Sequence, residues 1–188
     1  PVVTVILDCG TPDDDLAVDF KYVNFAYPTR AVSGRVEIRP GGARLIGLEC
    51  HTAPSTILRV DGGTDGYERD AAVDLRVDVE GMALNDDLKY ALDPGAQRAW
   101  DLFEPTGLVD GIARIHRPRG LDVAEVDDVT ILCRKIHLRF RNFPYALDDC
   151  VGEIQFFGKE IHVKHLTGRH GDAEVRLRGD IFDISGDT

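Results

Sequence analysis

Three histidines in the last third of the chain are close enough in sequence to suggest a metal site: His162, His165 and His170. Neutral imidazole is a common ligand of zinc and copper. In a strand, however, residues 162 and 165 point to opposite faces, because successive side chains alternate. The matching positions 118 residues earlier hold no histidine but Arg44, Gly47 and Thr52. We therefore expect solvated histidines of strands and turns, and no bound metal.

Other residues with chemical potential lack the partners that a reaction needs. The run Asp13-Asp14-Asp15 has neither the glycine nor the distal glutamate of a calcium loop, so a solvated turn is expected. Residues 62–66 read GGTDG, a glycine-rich linker without the lysine of a phosphate-binding loop. No GxSxG, HExxH or GxGxxG motif occurs. The sequence thus predicts a protein that is not an enzyme and that binds no cofactor.

The four cysteines show no CxxC spacing; they are Cys9, Cys50, Cys133 and Cys150. Structural zinc sites usually draw on such close pairs, so zinc is the least favoured interpretation. Scattered buried thiols are favoured, and one or two disulfides in an oxidising compartment are the alternative. The redox compartment is left open.

Composition excludes some classes of partner. The 188 residues carry 33 Asp and Glu against 22 Lys and Arg, a net charge of −11 at pH 7. Proteins that bind nucleic acid need a dense cationic surface, so no nucleic acid is expected. An anionic membrane surface is disfavoured for the same reason. Apolar residues make up 43% of the chain, which is enough for a hydrophobic core.

Alternating apolar and charged residues predict that strands dominate. The clearest run is at residues 73–80, where four aliphatic residues alternate with Asp, Arg, Asp and Glu. Similar runs include residues 36–38, 136–140 and 175–177. Turn signals separate the runs at residues 40–42, 53–55, 61–63, 158–159 and 170–172. Such short connections favour antiparallel meanders.

One region has helical spacing instead. Asn85 is a predicted N-cap with two aspartates after it, and Leu88 and Leu92 lie one turn apart. Asp93 then precedes Pro94, which is typical of the first position of a second helix. The spacing predicts two short helices, roughly 85–92 and 94–103.

The chain also repeats itself. The stretch NFAYPTRAVSGRVEIRPGG, which begins at Asn24, returns as NFPYALDDCVGEIQFFGK from Asn142, 118 residues later. A one-residue slip carries the similarity on to residues 175–179. Fixed-period similarity indicates stacked repeats. We expect a first repeat unit at 1–107, containing the helix pair at 85–103, and a second, incomplete unit at 108–188. We expect the two units to form one continuous sheet and the chain to be a fragment of a longer protein.

Two short helices cannot cover the apolar sides of so many strands that have one apolar and one charged face. Either two sheets close on each other as a sandwich, or one curved sheet keeps an apolar face open. An open apolar face larger than a few hundred Å² marks a binding site. The candidate groove residues are the apolar members of the alternating runs: Val36, Ile38, Val73, Leu75, Val77, Val79, Ile136, Leu138, Phe140, Ile154, Phe156, Val175 and Leu177.

Aromatic residues occupy the same place in each repeat: Phe25 and Tyr27, then Phe143 and Tyr145. Packing at a bend of a strand is the favoured role, and lining a groove for acyl chains is the alternative. Trp100 and Phe103 on the predicted helix pair are expected to cap the sheet.

Four features in this order resemble the AsmA-like proteins of bacterial envelopes. The segments N-F-x-Y-P and N-F-P-Y are followed by G-x-[VI]-x-[IF] strands at residues 34–38 and 152–156. The others are an L-T-x-R-H-G-D-A-x-V-x-L-x-G hairpin at residues 166–179 and the helix insert at residues 84–110. AsmA-like proteins are similar in architecture to bridge-like lipid-transfer proteins, which are built from repeated β-grooves.

The resemblance implies a mainly β fold, a twisted, taco-shaped antiparallel meander built from ~118-residue repeats with a short helix pair inserted. It implies a periplasmic or envelope location, and a role in holding or conducting lipid or in outer-membrane assembly. The expected partners are acyl chains and neighbouring repeats of a parent protein that is membrane-anchored outside this segment. The alternative is a structural repeat module that binds no small molecule.

Overall fold

The computed structural model describes residues 4–8, 18–22, 25–52, 56–121, 125–141, 145–158 and 160–182. Within them lie two helices, α1 (Asp86–Ala91) and α2 (Pro94–Phe103). The strands are β1 (Val5–Asp8), β2 (Val18–Tyr22), β3 (Phe25–Arg39), β4 (Gly42–Thr52), β5 (Thr56–Thr64), β6 (Val73–Leu84), β7 (Thr106–Arg117), β8 (Glu125–Arg139), β9 (Ala146–Phe157), β10 (Glu160–His170) and β11 (Ala173–Ile181). The expectation of a mainly β chain with a short helix pair is confirmed.

The described strands form one open sheet in which, from β3 onward, strands that follow one another along the chain are paired. The order is β1-β3-β4-β5-β6-β7-β8-β9-β10-β11, and β2 pairs with β3 off this path. The registers of β3·β4, β4·β5, β5·β6, β9·β10 and β10·β11 are antiparallel. The predicted antiparallel meander is therefore confirmed. Two sheets closed on each other as a sandwich are not the arrangement of the described strands.

Both helices begin where the caps were predicted. Oδ1 of Asn85 accepts a hydrogen bond from the Leu88 N–H at 3.0 Å, and α1 follows directly. Oδ1 of Asp93 accepts from the N–H groups of Gly95 and Ala96, and Pro94 opens α2. Side chains at these positions satisfy donors that have no partner inside the helix. Neither helix in the described part of the chain is long and apolar enough to cross a membrane.

The turn predicted at residues 61–63 is wrong. These residues lie inside β5, together with much of the predicted linker at 62–66. Gly62 has a φ of +133°, and a Cβ there would stand 2.1 Å from the carbonyl oxygen of Asp74 in β6. Glycine is required because the backbone of the next strand comes close, not because the chain turns. The chain turns further on, between β5 and β6.

β-Bulges shift the register in several pairs. One lies between Leu45 and Leu48 in β4·β5, and another between Val163 and Leu166 in β10·β11. On β9, His162 is opposite Gln155 and His165 is opposite Glu153. Residues 153 and 155 share a face, so the two histidines share it too. The expectation of opposite faces is wrong because a bulge adds one residue between them.

By contacts, the chain divides into two compact units. The first consists of Pro1–Lys21, Pro28–Glu80 and Ile112–Asp128, and the second of Tyr22–Tyr27, Gly81–Gly111 and Val129–Thr188. Described core residues of the first unit are Leu48, Cys50, Thr56, Leu58, Ala71 and Val73. Those of the second are Tyr27, Met82, Leu88, Ala91, Val109, Cys133, Ile136, Cys150, Ile161 and Leu166. The predicted boundary at residue 107 concerns sequence similarity rather than contacts, and it stays a prediction.

Candidate apolar binding surface

One face of the strands in the first unit is apolar. Directly opposed residues of an antiparallel pair point to the same face, so the registers trace rows of side chains across β3 to β6. The rows are Val36, Leu45, Gly62 and Leu75; Leu48, Val60 and Val77; and Cys50, Leu58 and Val79. Together with Ile38, Ala43 and Val73, these residues form what we call the first apolar face. All six candidates predicted in β3 and β6 belong to it.

The first apolar face is partly open to solvent. Leu48 and Leu58 are buried, with 3% and 7% of their surface exposed. Of the predicted groove residues, Val73 is buried, whereas Val36, Ile38, Leu75, Val77 and Val79 are half-buried. Closely packed interiors leave no such accessible surface. Gly62, between Leu45 and Leu75 in its row, contributes no side chain to this face.

The opposite face of the same strands is charged. Arg59 of β5 forms ion pairs with Glu49 of β4 at 3.2 Å and with Glu80 of β6 at 3.5 Å. Further pairs join Arg76 to Asp78 at 2.7 Å and Arg114 to Asp74 at 2.9 Å. These side chains are largely exposed, so each pair contributes little to stability. Their collective effect is to keep one side of the sheet hydrated.

The charges on this face favour the ionised carboxylates. A hydrogen bond with His51, at 2.9 Å, and the guanidinium of Arg59 lower the pKa of Glu49. A hydrogen bond from Arg114 likewise lowers the pKa of Asp74. Both carboxylates are therefore held in the charged, salt-bridged form, and neither is poised to accept a proton near neutral pH.

A hollow of about 470 Å³ in the first unit is lined mainly by residues of this charged face. Its carboxylates are already engaged. Asp61 accepts the Gly47 N–H at 2.7 Å, Asp65 pairs with Arg119 at 3.1 Å, and Asp74 pairs with Arg114. The hollow also borders the first apolar face through Ala43, Gly62 and Val73.

The second unit has an apolar face of its own in β9, β10 and β11. Its rows are Ile154, Val163 and Gly179; Phe156, Ile161 and Ile181; Gly152, Leu166 and Leu177; and Gly168 with Val175. With Cys150, the side chains of these rows form what we call the second apolar face. Ile154, Phe156 and Val175 are half-buried, and 42% of Leu177 is exposed. The four candidates predicted in β9 and β11 thus lie on one face and retain accessible apolar surface.

The three candidates near the helix pair are in different surroundings. Ile136 is 3% exposed and belongs to the packed core of the second unit. Leu138 is half-buried, and Phe140, just after β8, stacks against Phe103 of α2 with ring centroids 5.4 Å apart. Trp100 is half-buried on the same helix. Phe103 therefore covers this part of the sheet, in line with its predicted capping role.

The predicted histidine positions do not converge on a metal. His162 contacts Asp180 at 2.6 Å and Glu160 at 3.2 Å, with the ring of Phe157 beside it. Nδ1 of His170 contacts the Ala146 carbonyl oxygen at 2.8 Å. Among the described residues, no group of three or more His, Cys, Asp and Glu side chains could hold a metal ion. Residues 13–15 lie outside the described part of the chain.

The paired aromatic positions differ in burial. Tyr27 is buried, whereas Tyr145 is 47% exposed and lies over the His170 ring at 3.9 Å between centroids. Phe25 lies in β3, and Phe143 falls outside the described residues. Tyr27 therefore fits the packing role, while Tyr145 has an exposed ring face.

Three cysteines are buried thiols, as expected: Cys50, Cys133 and Cys150. Burial raises the pKa of both Cys133 and Cys150 to about 11. A thiol with such a pKa is almost entirely protonated at neutral pH and is a poor nucleophile. Cys9 lies outside the described residues.

Sequence reasoning missed the apolar residues of β4, β5 and β10. Leu45, Leu48, Val60, Val163 and Leu166 all belong to the two apolar faces. In β4 and β10 a bulge shifts the period by one residue part-way along, so their apolar residues do not alternate strictly, whereas Val60 in β5 does alternate with Arg59 and Asp61.

Comparisons of the chain with protein-family models, with curated proteins and with solved structures gave no match.

Proposed function

We propose that this protein is a non-catalytic segment of the bacterial cell envelope whose apolar sheet faces hold or conduct lipid acyl chains. The observation that carries this proposal is the first apolar face. Rows of half-buried aliphatic side chains cross four strands on one side, and ion pairs cover the other side. An aliphatic ligand would remove this surface from water at a gain of about 25 cal/mol per Å².

The proposal includes a repeat of about 118 residues, as in the AsmA-like proteins that the sequence resembles. The pairs Val36·Leu45 and Ile154·Val163 support it, and so do the bulges that follow Leu45 and Val163. A Cβ on Gly34 would stand 2.5 Å from Leu48 Cα, and a Cβ on Gly152 would stand 2.8 Å from Leu166 Cα. Gly34 and Gly152 are 118 residues apart, and so are Leu48 and Leu166. A β-groove of repeated units, and a role in envelope lipid handling or outer-membrane assembly, follow from this proposal.

Lipid binding is tested with a matched pair of variants in adjacent positions of β6. Leu75→Asn places a polar group on the first apolar face, and Arg76→Asn places the same group on the charged face. We expect phospholipid to co-purify with the unmodified protein and with Arg76→Asn, but to fall several-fold with Leu75→Asn. Lipid is quantified by mass spectrometry of solvent extracts, and circular dichroism checks that both variants remain folded.

Two results would count against lipid binding. One is the absence of extractable lipid together with no binding of a fluorescent acyl-chain probe. The other is an equal loss of lipid in both variants, because the two faces would then not differ.

The alternative is a structural module that binds no small molecule. One observation favours it: among the described residues β11 pairs only with β10, and all of its residues except Val175 are exposed. Unpaired strand edges promote association. It predicts lipid-free protein with unchanged properties after Leu75→Asn. An acyl probe that binds stoichiometrically to the first apolar face would rule it out.

A further inference from the structure

The hollow in the first unit lies at one end of three neighbouring strands. β4 begins at Gly42, β5 ends at Thr64 and β6 begins at Val73, and residues from each of these ends line the hollow. Successive residues of a strand point to opposite faces, so where three strands end together both faces border the same space. Ala43, Gly62 and Val73 belong to the first apolar face, whereas most of the other lining residues are charged. Its volume of about 470 Å³ is within the usual range of ligand sites, about 300–1,000 Å³.

The carboxylates that line the hollow have cationic neighbours in the protein itself. Two of the three form the ion pairs with Arg114 and Arg119 described above. The third, Asp61, lies directly opposite Arg76, which also lines the hollow. A hydrogen bond to Asp78 and its charge raise the pKa of Arg76, and the charge of Asp61 acts in the same direction. The negative charges of the hollow are therefore partly compensated.

Arg44 is the lining cation without such a partner. It forms no hydrogen bond or ion pair with any described residue. Glu37, directly opposite on β3, pairs instead with Arg39. On the other side Arg44 is opposite Gly63, which contributes no side chain. The guanidinium of Arg44 is therefore available to an anion that enters the hollow.

A second polar group beside the hollow also lacks a partner. Nδ1 of His116, a lining residue, is buried and makes no hydrogen bond to any described residue. The large majority of buried polar side-chain atoms in proteins have a hydrogen-bond partner, so each exception requires an explanation. An unpaired nitrogen at the wall of a hollow favours a ligand with polar atoms.

We propose that this hollow binds the anionic head group of a lipid whose acyl chain lies on the first apolar face. The inference rests on the proposed function and adds the chemical class of the ligand, an aliphatic chain that ends in a carboxylate or phosphate. Arg44 donates charge-assisted hydrogen bonds to the anionic oxygens, and His116 supplies a further polar contact. The chain leaves the hollow past Ala43 and Val73, which continue into the apolar rows.

The test compares three amphiphiles that share a ten-carbon chain: decanoate, decyl phosphate and decanol. Each is used to displace a fluorescent acyl-chain probe from the whole chain, at concentrations below micelle formation. Decanoate and decyl phosphate should each bind at least about five-fold more tightly than decanol, because only their head groups form charge-assisted hydrogen bonds with Arg44.

Three variants assign this preference to the hollow. Arg44→Gln should bring the affinities for decanoate and decanol to within about two-fold of each other, with the affinity for decanol unchanged. His116→Phe keeps an aromatic ring, removes the nitrogen and should reduce the preference about two-fold. Arg59→Gln, the same charge change on the charged face but outside the hollow, is the control and should leave the preference intact. Circular dichroism checks that all three variants remain folded.

The outcomes separate this site from the proposed function. Equal binding of the three amphiphiles, or an unchanged preference in Arg44→Gln, would overturn the head-group site and leave acyl-chain binding standing. No binding of any amphiphile would contradict both. Inorganic phosphate alone should show no binding in isothermal titration calorimetry. Tight phosphate binding that Arg44→Gln abolishes would assign the hollow to a free anion instead of a lipid head group.

Discussion

The segments β3–β4–β5 and β9–β10–β11 share their internal registers but differ in what lies beyond the last strand. β5 is followed in the sheet by β6, whereas β11 has no further strand among the described residues. Leu58 in β5 is buried, with 7% of its surface exposed, while Val175 at the corresponding place in β11 is half-buried. Two strands of similar pattern therefore reach different burial because of the neighbour each one has. Burial in such a sheet depends on the next strand as much as on the strand's own residues.

Glycine substitutions should give the largest difference in stability between β5 and β11. Gly62→Val should cost about 4 kcal/mol or more, because its φ is +133° and β6 backbone atoms lie within 3.0 Å of a Cβ. Gly179→Val should change the unfolding free energy by less than about 0.5 kcal/mol, because its Cβ meets open space. Urea unfolding measures both. Equal losses would mean that β5 and β11 do not differ in this way.

Leucine truncations test what the two segments have in common. Leu48 and Leu166 are each 3% exposed, beside the glycines Gly34 and Gly152. Leu48→Ala and Leu166→Ala should each cost about 3 kcal/mol, because buried leucine truncations leave cavities. Leu177→Ala, at an exposed position, is the control and should cost less than about 1 kcal/mol. A loss confined to one of the two buried leucines would argue against equivalent packing.

The buried thiols give a smaller, pH-dependent effect. Cys133 and Cys150 have their pKa raised to about 11, above the value of about 8.5 for an unfolded thiol. The folded state therefore keeps these protons when the unfolded state has lost them. The unfolding free energy should be unaffected below about pH 8.5 and should fall as the pH rises toward 11.

Chemical denaturation at a series of pH values measures this dependence, with Cys133→Ala/Cys150→Ala as the control that removes it. At pH 8, Cys50, Cys133 and Cys150 should all resist alkylation until the protein unfolds, since none is more than 4% exposed. Rapid alkylation of any of them in the folded protein would contradict the burial described here.

Arginine substitutions on the charged faces should give the smallest difference in stability. Arg59 bridges two neighbouring strands through Glu49 and Glu80, whereas the ion-pair partner of Arg176 among the described residues is Glu174 on its own strand. Arg59→Ala should cost about 0.5 kcal/mol and Arg176→Ala close to nothing, because exposed pairs contribute little. Differential scanning calorimetry at low and high salt measures this difference. It should shrink with added salt, and a difference that grew would exclude an electrostatic origin.

The fold class and the helix pair could be predicted because local rules determine them. Alternation of period two identifies β6 without reference to any other strand, and the caps Asn85 and Asp93 act on N–H groups two or three residues away. Gly62 could not be interpreted correctly, because its role depends on the backbone of β6. A glycine pair inside a strand and one in a turn look alike until the neighbouring strand is known.

The residues of the two apolar faces could be predicted only where a strand alternates regularly. Strictly alternating residues of β3, β6, β9 and β11 lie on the apolar faces, as their period indicates. Leu45 and Val163 were not predicted as groove residues, because a bulge follows each of them and interrupts the two-residue period. The same kind of irregularity put His162 and His165 on one face. Phe140 was identified as apolar, but its contact with Phe103 depends on where α2 packs.

The bulges after Leu45 and Val163 have a further consequence for how the strands find their correct alignment. Where apolar and polar residues alternate, a strand looks almost the same after it slides by two positions, so alternation alone cannot determine its alignment with its neighbours. An extra residue fits at only one place, where Gly34 or Gly152 leaves room for it. Each bulge therefore favours the correct register over registers that are shifted by two residues. A sheet of nearly uniform strands requires such register-specifying features if every molecule is to fold to the same structure.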